Sequence, residues 1–178
     1  MGKNKLEQLK ERYEEFYKSF LKQGQLPMRD TKLGFWGVAH TNDLVEIFKK
    51  IEINKHKTFL DLGSGDGKAA LIAALFGLKA TGIEIDEELV KISKRFQKEL
   101  NIKNAEFLCE DFLQHDISKY EIIFVNPDKE FHHGLEEKLL KELKGILIVY
   151  NVVFRPTRLK KGRTYWVNQI PATVYTKK

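Results

Sequence analysis

The amino-acid sequence predicts an α/β protein with a doubly wound, mostly parallel sheet, N-terminal helices and a C-terminal antiparallel hairpin. From Lys57 onward, short apolar runs alternate with amphipathic helical segments, which is the pattern of parallel βαβ units. One apolar run leads directly into a glycine-rich turn and a helix, as in open α/β sheets that bind ligands. The length of 178 residues fits one core, so we expect a single domain over 1–178.

Residues 1–52 are predicted to form N-terminal helices and a covering loop. Apolar residues recur at helical spacing over 6–21 and predict an amphipathic helix that ends before Gly24. Residues 25–40 are predicted to be loop, because they contain a proline and two glycines. Asp43 and Glu46 have capping-box spacing and predict a second helix that runs to about residue 50.

Residues 57–178 are predicted to form the α/β core. The expected strands are 58–62, 79–84, 105–109, 120–126 and 145–153, and the expected helices are 67–76, 86–100 and 134–143. The last segment has two β-rich runs hinged at Pro171, which predict an antiparallel hairpin at the sheet edge.

Composition and charge are those of an ordinary globular chain. Hydrophobic residues make up 42% and charged residues 31%, and the net charge is +6. The apolar runs are too short to cross a bilayer, and the charged N-terminal segment has no secretory pattern. Cys109 is the single cysteine, which excludes an intrachain disulfide and a set of thiolates for zinc. We expect a cytoplasmic protein with no membrane contact and no metal, in which Cys109 is buried or half-buried.

Basic residues are concentrated near the C-terminus. They are Arg155, Arg158, Lys160, Lys161 and Arg163. Such a run binds phosphates or an acidic protein surface, or it forms a solvated loop.

The strongest functional signal is the segment FLDLGSGDGKAALIAA, residues 59–74. An apolar strand enters a turn with Gly63, Gly65 and Gly67, and these glycines let the backbone bend tightly and approach a ligand. The helix that follows points free N–H groups and its positive dipole end toward that ligand. The pattern alone fits any nucleotide-like ligand.

Two positions in this segment narrow the kind of ligand. A dinucleotide fingerprint has the pattern G-x-G-x-x-G, but Lys68 occupies its sixth position and the third glycine is Gly67. Asp61 precedes Gly63 by two residues and places a carboxylate at the ligand site, where it opposes a phosphate and attracts a cationic amino acid. We therefore expect a ligand with a positively charged end.

The order D-x-G-x-G-x-G after a strand resembles the first motif of the class I, Rossmann-like S-adenosylmethionine-dependent methyltransferases. The resemblance covers the order of elements over 35–153. In that family the position of Asp61 contacts the methionine amino group, and the glycine loop runs beside the methionine and the ribose. The resemblance implies S-adenosylmethionine as the cofactor. Its implied binding residues in this segment are Asp61, Gly63, Ser64, Gly65 and Gly67.

Glu84 ends the next predicted strand, 21 residues after Gly63. A carboxylate at that position accepts hydrogen bonds from the ribose hydroxyls, and its place and residue type agree with the family. Asp86 begins a predicted helix, so we expect it to act as the helix cap.

The segment CEDF, residues 109–112, follows the third predicted strand. By the resemblance, an acidic residue there contacts the adenine amino group. Asp111 is the first choice and Glu110 the second, and a solvated loop carboxylate is the alternative for each.

The fourth predicted strand ends in FVNPDKEF, residues 124–131, at the sheet edge where α/β proteins bind ligands. The segment resembles the family motif [DN]-P-P-[YF] at Asn126 and Pro127 but departs from it at Asp128 and Lys129. This departure weakens the case for adenine or glutamine methylation. Asn126 and Asp128 are the expected catalytic residues, and Asn126 is also expected at the cofactor. The candidates for the acceptor pocket are Phe131, His132 and His133.

The segment GFWGVAHTNDL, residues 34–44, is similar to archaeal and mitochondrial seven-strand protein-lysine methyltransferases. In those proteins the loop closes over the methionine end of the cofactor. By that resemblance Thr41 binds the cofactor carboxylate, and Phe35 or Trp36 walls the acceptor channel. The alternative is that Thr41 only begins the helix and Trp36 packs on the core.

The predicted function is an S-adenosylmethionine-dependent N-methyltransferase that acts on a macromolecule, with a protein lysine as the favoured acceptor. A lysine, with an ordinary pKa of about 10.4, must first lose a proton, which a desolvated channel beside Asn126 and Asp128 facilitates. An RNA base is the second candidate acceptor, supported by the basic residues of 155–163. A non-catalytic module that binds S-adenosylmethionine or a nucleotide is the third alternative. A monomer is compatible with the sequence, which leaves the oligomeric state open.

Overall fold

The computed structural model describes residues 4–31, 34–128 and 134–178. Its elements in chain order are α1 (Lys5–Lys22), β1 (Met28–Asp30), β2 (Phe35–Gly37), α2 (Thr41–Ile51), a 3-10 turn (Ile53–Lys55), β3 (Thr58–Leu62), α3 (Lys68–Leu75), β4 (Lys79–Glu84), α4 (Glu87–Glu99), β5 (Ala105–Cys109), β6 (Ile122–Val125), α5 (Leu135–Glu142), β7 (Ile146–Tyr150), β8 (Lys160–Val167) and β9 (Ile170–Thr176).

Seven of the strands form one sheet in the order β5-β4-β3-β6-β7-β9-β8. The first five of these run parallel, whereas β9 is antiparallel to both β7 and β8. The chain moves from β3 outward to β4 and β5 and then returns to the other side of β3 with β6, so the strand order reverses between β3 and β6. The predicted doubly wound, mostly parallel sheet with a C-terminal hairpin is confirmed.

The central strands contribute side chains to a core on each face of the sheet, because successive strand residues point to opposite faces. Phe59 and Phe124 pack on the face covered by α1 to α4. Leu60 and Ile123 pack on the other face with α5. Covering both faces explains why the central strands are continuously apolar.

Helix α3 is buried along nearly its whole length, including its first residue, Lys68. Its alanine-rich sequence KAALIAAL allows close contact with α1, α2 and the sheet at once. A helix surrounded on all sides has no polar face, which is why its sequence lacks the amphipathic pattern of α1 and α4.

Two local predictions in the N-terminal region are wrong. Helix α2 begins at Thr41 with His40 at the N-cap, whereas the sequence predicted a capping box of Asp43 and Glu46. Asp43 lies inside the first turn, where its carboxylate accepts a hydrogen bond of 2.8 Å from the Asn168 side chain. The predicted loop over 25–40 contains β1 and β2, which pair antiparallel and which we call the cover strands.

The C-terminal hairpin turns at Asn168 and Gln169, and the predicted hinge at Pro171 is wrong. Both turn residues have positive φ values, 47° and 66°, which is the geometry of a two-residue hairpin loop that matches strand twist. Pro171 instead lies within β9, opposite Trp166. Asparagine tolerates the left-handed region better than most residues, so the dipeptide at 168–169 is the local turn signal.

The environment of Cys109 also differs from the prediction. Its side chain is exposed, because β5 is the edge strand of the sheet and Cys109 is its last residue. Asp86, in contrast, caps α4 as predicted, and its carboxylate accepts from the backbone N–H groups of Glu88 and Leu89.

Within the described residues, none of the helices combines the length and apolar character needed to span a membrane. The same part of the chain contains no group of three or more His, Cys, Asp or Glu side chains placed to hold a metal ion.

Candidate functional site

A cavity of about 940 Å³ opens at the carboxyl edge of the sheet, beside the point where the strand order reverses. Its floor includes the turn after β3 and the end of β6, and its roof includes residues of the cover strands. We call it the main cavity. The predicted site residues that line it are Asp61, Gly63, Ser64, Gly65, Glu84, Asp111, Asn126 and Asp128. Two predicted residues, Thr41 and Gly67, do not line it.

The three glycines of the turn have different neighbours, although all have positive φ values. Gly63 faces open space, because a β-carbon there would meet no atom within 4 Å. A β-carbon on Gly65 would lie 2.6 Å from the Trp36 ring. A β-carbon on Gly67 would lie 2.7 Å from Ser93 of α4, so Gly67 serves helix packing. Only the first two glycines therefore shape the main cavity.

Asp61 is buried at the end of β3, with 3% of its surface exposed. Burial raises the pKa of its carboxyl group, and the nearby carboxylates Glu84 and Asp66 raise the pKa further. A hydrogen bond from the backbone of Ala70 opposes the shift. A cationic ligand beside Asp61 would relieve this repulsion, because an opposite charge stabilises the ionised carboxylate.

Glu84 is held in place by three backbone N–H groups at the end of β4. One oxygen accepts from Ile85 and Asp86 at 2.8 and 2.9 Å, and the other accepts from Gly65 at 2.9 Å. The last bond ties the glycine turn to the neighbouring strand. Glu84 thus presents a fixed carboxylate at the main cavity, as a ribose-binding residue requires.

The two candidates for adenine recognition have different partners. Glu110 lies 2.5 Å from Nδ1 of His115, whose Nε2 lies 3.1 Å from the Tyr120 hydroxyl. Asp111 uses Oδ1 to accept from the backbone of Leu113, which shapes the turn after β5. Both residues line the main cavity, and the Glu110 carboxylate is hydrogen-bonded to His115 while Asp111 makes a local turn.

Asn126 follows β6 and is oriented by Asn151, which follows the neighbouring strand β7. The Nδ2 group of Asn151 donates to Oδ1 of Asn126 at 2.8 Å and to the carbonyl of Pro127 at 2.6 Å. Asn151 has a φ of 95°, a left-handed backbone that most residues avoid. Asn151 was not among the predicted site residues, because the last parallel strand was expected to continue to residue 153.

Asp128 connects the sheet edge to the cover strands. Its Oδ2 accepts a hydrogen bond of 2.6 Å from the backbone N–H of Phe35. A β-carbon on Gly34 would lie 3.0 Å from the same carboxylate, which would have to shift by a few tenths of an ångström to accommodate it. A second link joins Arg29 of β1 to Asp86 at 2.7 Å. The remaining candidates in this region, Phe131, His132 and His133, lie outside the described residues, as does Lys129.

Trp36 joins the cover strands to the N-terminal helix. Its ring lies 6.0 to 6.4 Å from the rings of three aromatic residues of α1: Phe16, Tyr17 and Phe20. Trp36 also lines the main cavity beside Gly65. Both sequence interpretations of Trp36 are therefore compatible with its position, while Phe35 lines the cavity with 43% of its surface exposed.

A second cavity of about 520 Å³ contains Thr41 and shares part of its wall with the main cavity. The residues common to both are Val38, Ala39 and Lys68. Thr41 is the first residue of α2, as the alternative interpretation stated. A role for Thr41 at the cofactor stays a prediction.

The charges that line the main cavity are strongly unbalanced. Among the described residues, the lining contains six carboxylates: Asp61, Asp66, Glu84, Glu110, Asp111 and Asp128. In the same part of the chain, Lys68 is the single Lys, Arg or His side chain that lines the cavity. The cavity therefore favours a cationic ligand, although the whole chain has a net charge of +6.

Comparison with known proteins agrees with this fold. The chain is 38% identical over 108 residues to an ATP synthase subunit lysine N-methyltransferase of Caenorhabditis elegans, covering 57% of each protein. It is 39% identical over 83 residues to the ribosomal protein L11 methyltransferase of Caulobacter sp. (strain K31), covering 44% of this chain and 28% of that protein. The chain thus spans 57% of the length of the first relative and 28% of the length of the second.

A solved structure supports the fold. The crystal structure of an RNA methyltransferase from Salinibacter ruber, in complex with S-adenosyl-L-homocysteine, has a TM-score of 0.66 and 22% sequence identity. The match covers 79% of this chain and 93% of that chain.

The family assignment comes from the region that holds the glycine turn, Glu84 and Asn126. Residues 61–160 match the model of the ANTKMT methyltransferase domain, which is more than half of the chain. The predicted resemblance to class I S-adenosylmethionine-dependent methyltransferases is confirmed, and this chain belongs to the ANTKMT methyltransferase domain family.

Proposed function

We propose that this protein transfers a methyl group from S-adenosylmethionine to the side-chain amine of a protein lysine. The observation that carries the proposal is the charge of the main cavity, with six carboxylates and the single cation Lys68 among its described lining residues. S-adenosylmethionine has a sulfonium and an ammonium group, and a lysine acceptor is also cationic before and after reaction. An acidic, partly desolvated cavity stabilises all of these charges.

The shape of the cavity fits S-adenosylmethionine. Its volume of about 940 Å³ is of the size that holds a small ligand. The open space at Gly63 lets a ligand approach the backbone, and the buried carboxylates supply partners for an ammonium group and for sugar hydroxyls.

We assign the cofactor contacts along the sheet edge. Asp61 binds the methionine ammonium, and Glu84 accepts from the ribose hydroxyls. Asp111 binds the adenine amino group, since the carboxylate of Glu110 is already paired with His115. When bound, the cofactor supplies an activated methyl group that passes to the acceptor amine in a direct displacement.

The acceptor amine lies beside Asn126 and Asp128 in this proposal. Asn151 fixes the orientation of the Asn126 amide, which orients the amine through a hydrogen bond. One Asp128 oxygen is bound to the cover strand, and the other accepts the proton that the lysine ammonium loses. In this proposal a lysine side chain bound beneath the cover strands loses part of its hydration, which lowers the cost of deprotonating it.

The alternative acceptor, an RNA base, rests on the basic run over 155–163. None of its five basic residues lines the main cavity. Arg158 is paired with Glu137 at 3.1 Å, and the backbone N–H of Arg158 donates to Glu136. The acidic lining also repels a phosphate backbone at the entrance, so the charges favour a protein acceptor.

Gly65→Ala is expected to weaken S-adenosylmethionine binding about 10-fold or more, because an added methyl collides with Trp36 and strains a left-handed backbone. Isothermal titration calorimetry measures the dissociation constant. Gly77→Ala is the matched control, since Gly77 also has a positive φ but lies outside the cavity, and a β-carbon there would meet no atom within 4 Å. Equal affinity of Gly65→Ala and wild type would contradict the placement of Trp36 over the turn.

A labelling experiment tests the acceptor class. The protein is incubated with methyl-labelled S-adenosylmethionine and cell extract, with one sample pretreated with RNase and another with protease. We expect label to survive RNase, to be lost with protease and to be recovered as methyllysine after acid hydrolysis. Loss of label with RNase alone would establish an RNA acceptor, and absence of label in every sample despite cofactor binding would establish a non-catalytic module.

The cytoplasmic location, the single-domain organisation and the oligomeric state stay predictions. Fractionation of native cells with an antibody to the chain tests the first. Light scattering of the purified protein tests the last, for which a monomer is compatible with the sequence.

A further inference from the structure

Lys68 is a buried cation beside a cavity that is otherwise acidic. It is the first residue of α3, with 3% of its surface exposed, and it lines both the main cavity and the second cavity. In the sequence, this residue only argued against a dinucleotide pattern. Its position in the wall between the two cavities indicates a role at the ligand.

The partners of Lys68 leave part of its hydrogen-bonding capacity unused. Its Nζ donates to the carbonyl oxygen of Ala39 and lies 4.9 and 4.4 Å from the ring centroids of Tyr13 and Tyr17. Asp66 is the nearby carboxylate, but one of its oxygens accepts from the Tyr17 hydroxyl and the other from the backbone of Lys68. An ammonium group has three N–H donors, so a ligand can satisfy those that remain.

The site is electrostatically costly for a lysine. A cation at the start of a helix is opposed by the helix dipole. Burial lowers the pKa of Lys68 to about 8, against the opposing effect of Asp66. A bound anion beside the Lys68 ammonium would offset both costs.

We propose that Lys68 binds the α-carboxylate of the methionine part of S-adenosylmethionine. The inference rests on the proposed function and deepens it. The ligand has one anionic group, and the lining has a single cation in the described residues. The ammonium and carboxylate of methionine share one carbon atom, and Asp61 and Lys68 stand at the two ends of the same glycine turn. Asp66 interacts electrostatically with both residues, which places all three in one charged group.

This assignment differs from the carboxylate contact that the sequence implied for Thr41. Thr41 lines the second cavity but not the main cavity, whereas Lys68 lines both. A hydroxyl is also a weaker partner for a carboxylate than an ammonium group, because charge-assisted hydrogen bonds are stronger than neutral ones.

The test compares S-adenosylmethionine with decarboxylated S-adenosylmethionine, which keeps the ammonium and sulfonium groups but lacks the carboxylate. Calorimetry measures the affinity of each ligand for wild type, Lys68→Met, Lys68→Arg and Thr41→Val. We expect Lys68→Met to weaken S-adenosylmethionine binding by about 10- to 100-fold, the range for a charge-assisted hydrogen bond. The same variant should bind the decarboxylated ligand as tightly as wild type or more tightly, because it removes a like charge. Lys68→Arg should retain most of the affinity for S-adenosylmethionine.

Three results would overturn the inference. The first is an equal loss of affinity for both ligands in Lys68→Met, and the second is no loss of affinity for either ligand. The third is a loss of affinity for S-adenosylmethionine, but not for the decarboxylated ligand, in Thr41→Val and not in Lys68→Met. An equal loss of affinity would mean that Lys68 acts by packing against Ala39 and α1 and not by binding the carboxylate. Failure of wild type to bind S-adenosylmethionine would instead refute the proposed function, so the two failures are distinguishable.

Discussion

Asp61→Asn is expected to reduce S-adenosylmethionine affinity by about 30-fold or more while it stabilises the ligand-free protein. The substitution removes the carboxylate that binds the ammonium group but keeps an oxygen that can accept from the backbone of Ala70. It also removes a buried charge that Glu84 and Asp66 repel. We expect the melting temperature of the ligand-free protein to rise by about 2–4 °C, which corresponds to about 1 kcal/mol for a chain of this size.

The stabilising effect of Asp61→Asn on the ligand-free protein should increase as the pH rises. Because folding raises the pKa of Asp61, its protonation favours the folded state at low pH, and this contribution is lost as the pH rises through the folded-state pKa. The difference in melting temperature between Asp61→Asn and wild type should therefore be larger at pH 8 than at pH 5. Asp116→Asn, at an exposed carboxylate outside the cavity, serves as the control and should change cofactor affinity little. A stable Asp61→Asn protein with undiminished affinity would remove Asp61 from the cofactor site.

Asn126→Ala is expected to reduce kcat for lysine methylation by about 100- to 1000-fold, the usual effect of removing one positioned polar group from an active site. The dissociation constant for S-adenosylmethionine should rise by no more than about 10-fold, the loss of one neutral hydrogen bond, because Asn126 is also expected at the cofactor. This separation follows from the position of Asn126 at the Asp128 end of the cavity, where the acceptor is proposed to enter. Steady-state kinetics and calorimetry measure the two quantities independently.

Asn151→Gly provides a graded comparison for the same site. It removes the side chain that orients Asn126 but keeps a residue that tolerates a φ of 95°. We expect a smaller loss of kcat than in Asn126→Ala. If Asn126→Ala instead raised the dissociation constant and left kcat unchanged, Asn126 would be a cofactor-binding residue only.

The features that could be predicted from sequence are local or periodic. The alternation of apolar strands and helices predicted the sheet, because each βαβ unit encodes its own pattern within about 30 residues. The turn after β3 was predictable for a similar reason, since Asp61 and the glycines are close in sequence. The position of Glu84 at the sheet edge was also predictable, because Glu84 is the last residue of the neighbouring strand.

The features that were missed depend on contacts between distant residues. The bond between Asp128 and Phe35 joins residues 93 positions apart, and no local pattern indicates it. The role of Asn151 depends on the register of β6 and β7, which places their ends side by side. The burial of Lys68 was not predicted, because it is produced by contacts with α1 and with the segment before α2. The pairing of the cover strands likewise depends on a surface that only the folded sheet provides.

The acidic main cavity is proposed to bind S-adenosylmethionine as a cation, and the other assignments depend on this binding. Titration of the wild-type protein with S-adenosylmethionine, and separately with ATP, tests it most directly. We expect S-adenosylmethionine to bind at one site. We expect S-adenosylhomocysteine, the product with a neutral thioether, to compete for that site and to bind less tightly. We expect no detectable binding of ATP. Binding of ATP together with failure to bind S-adenosylmethionine would contradict it.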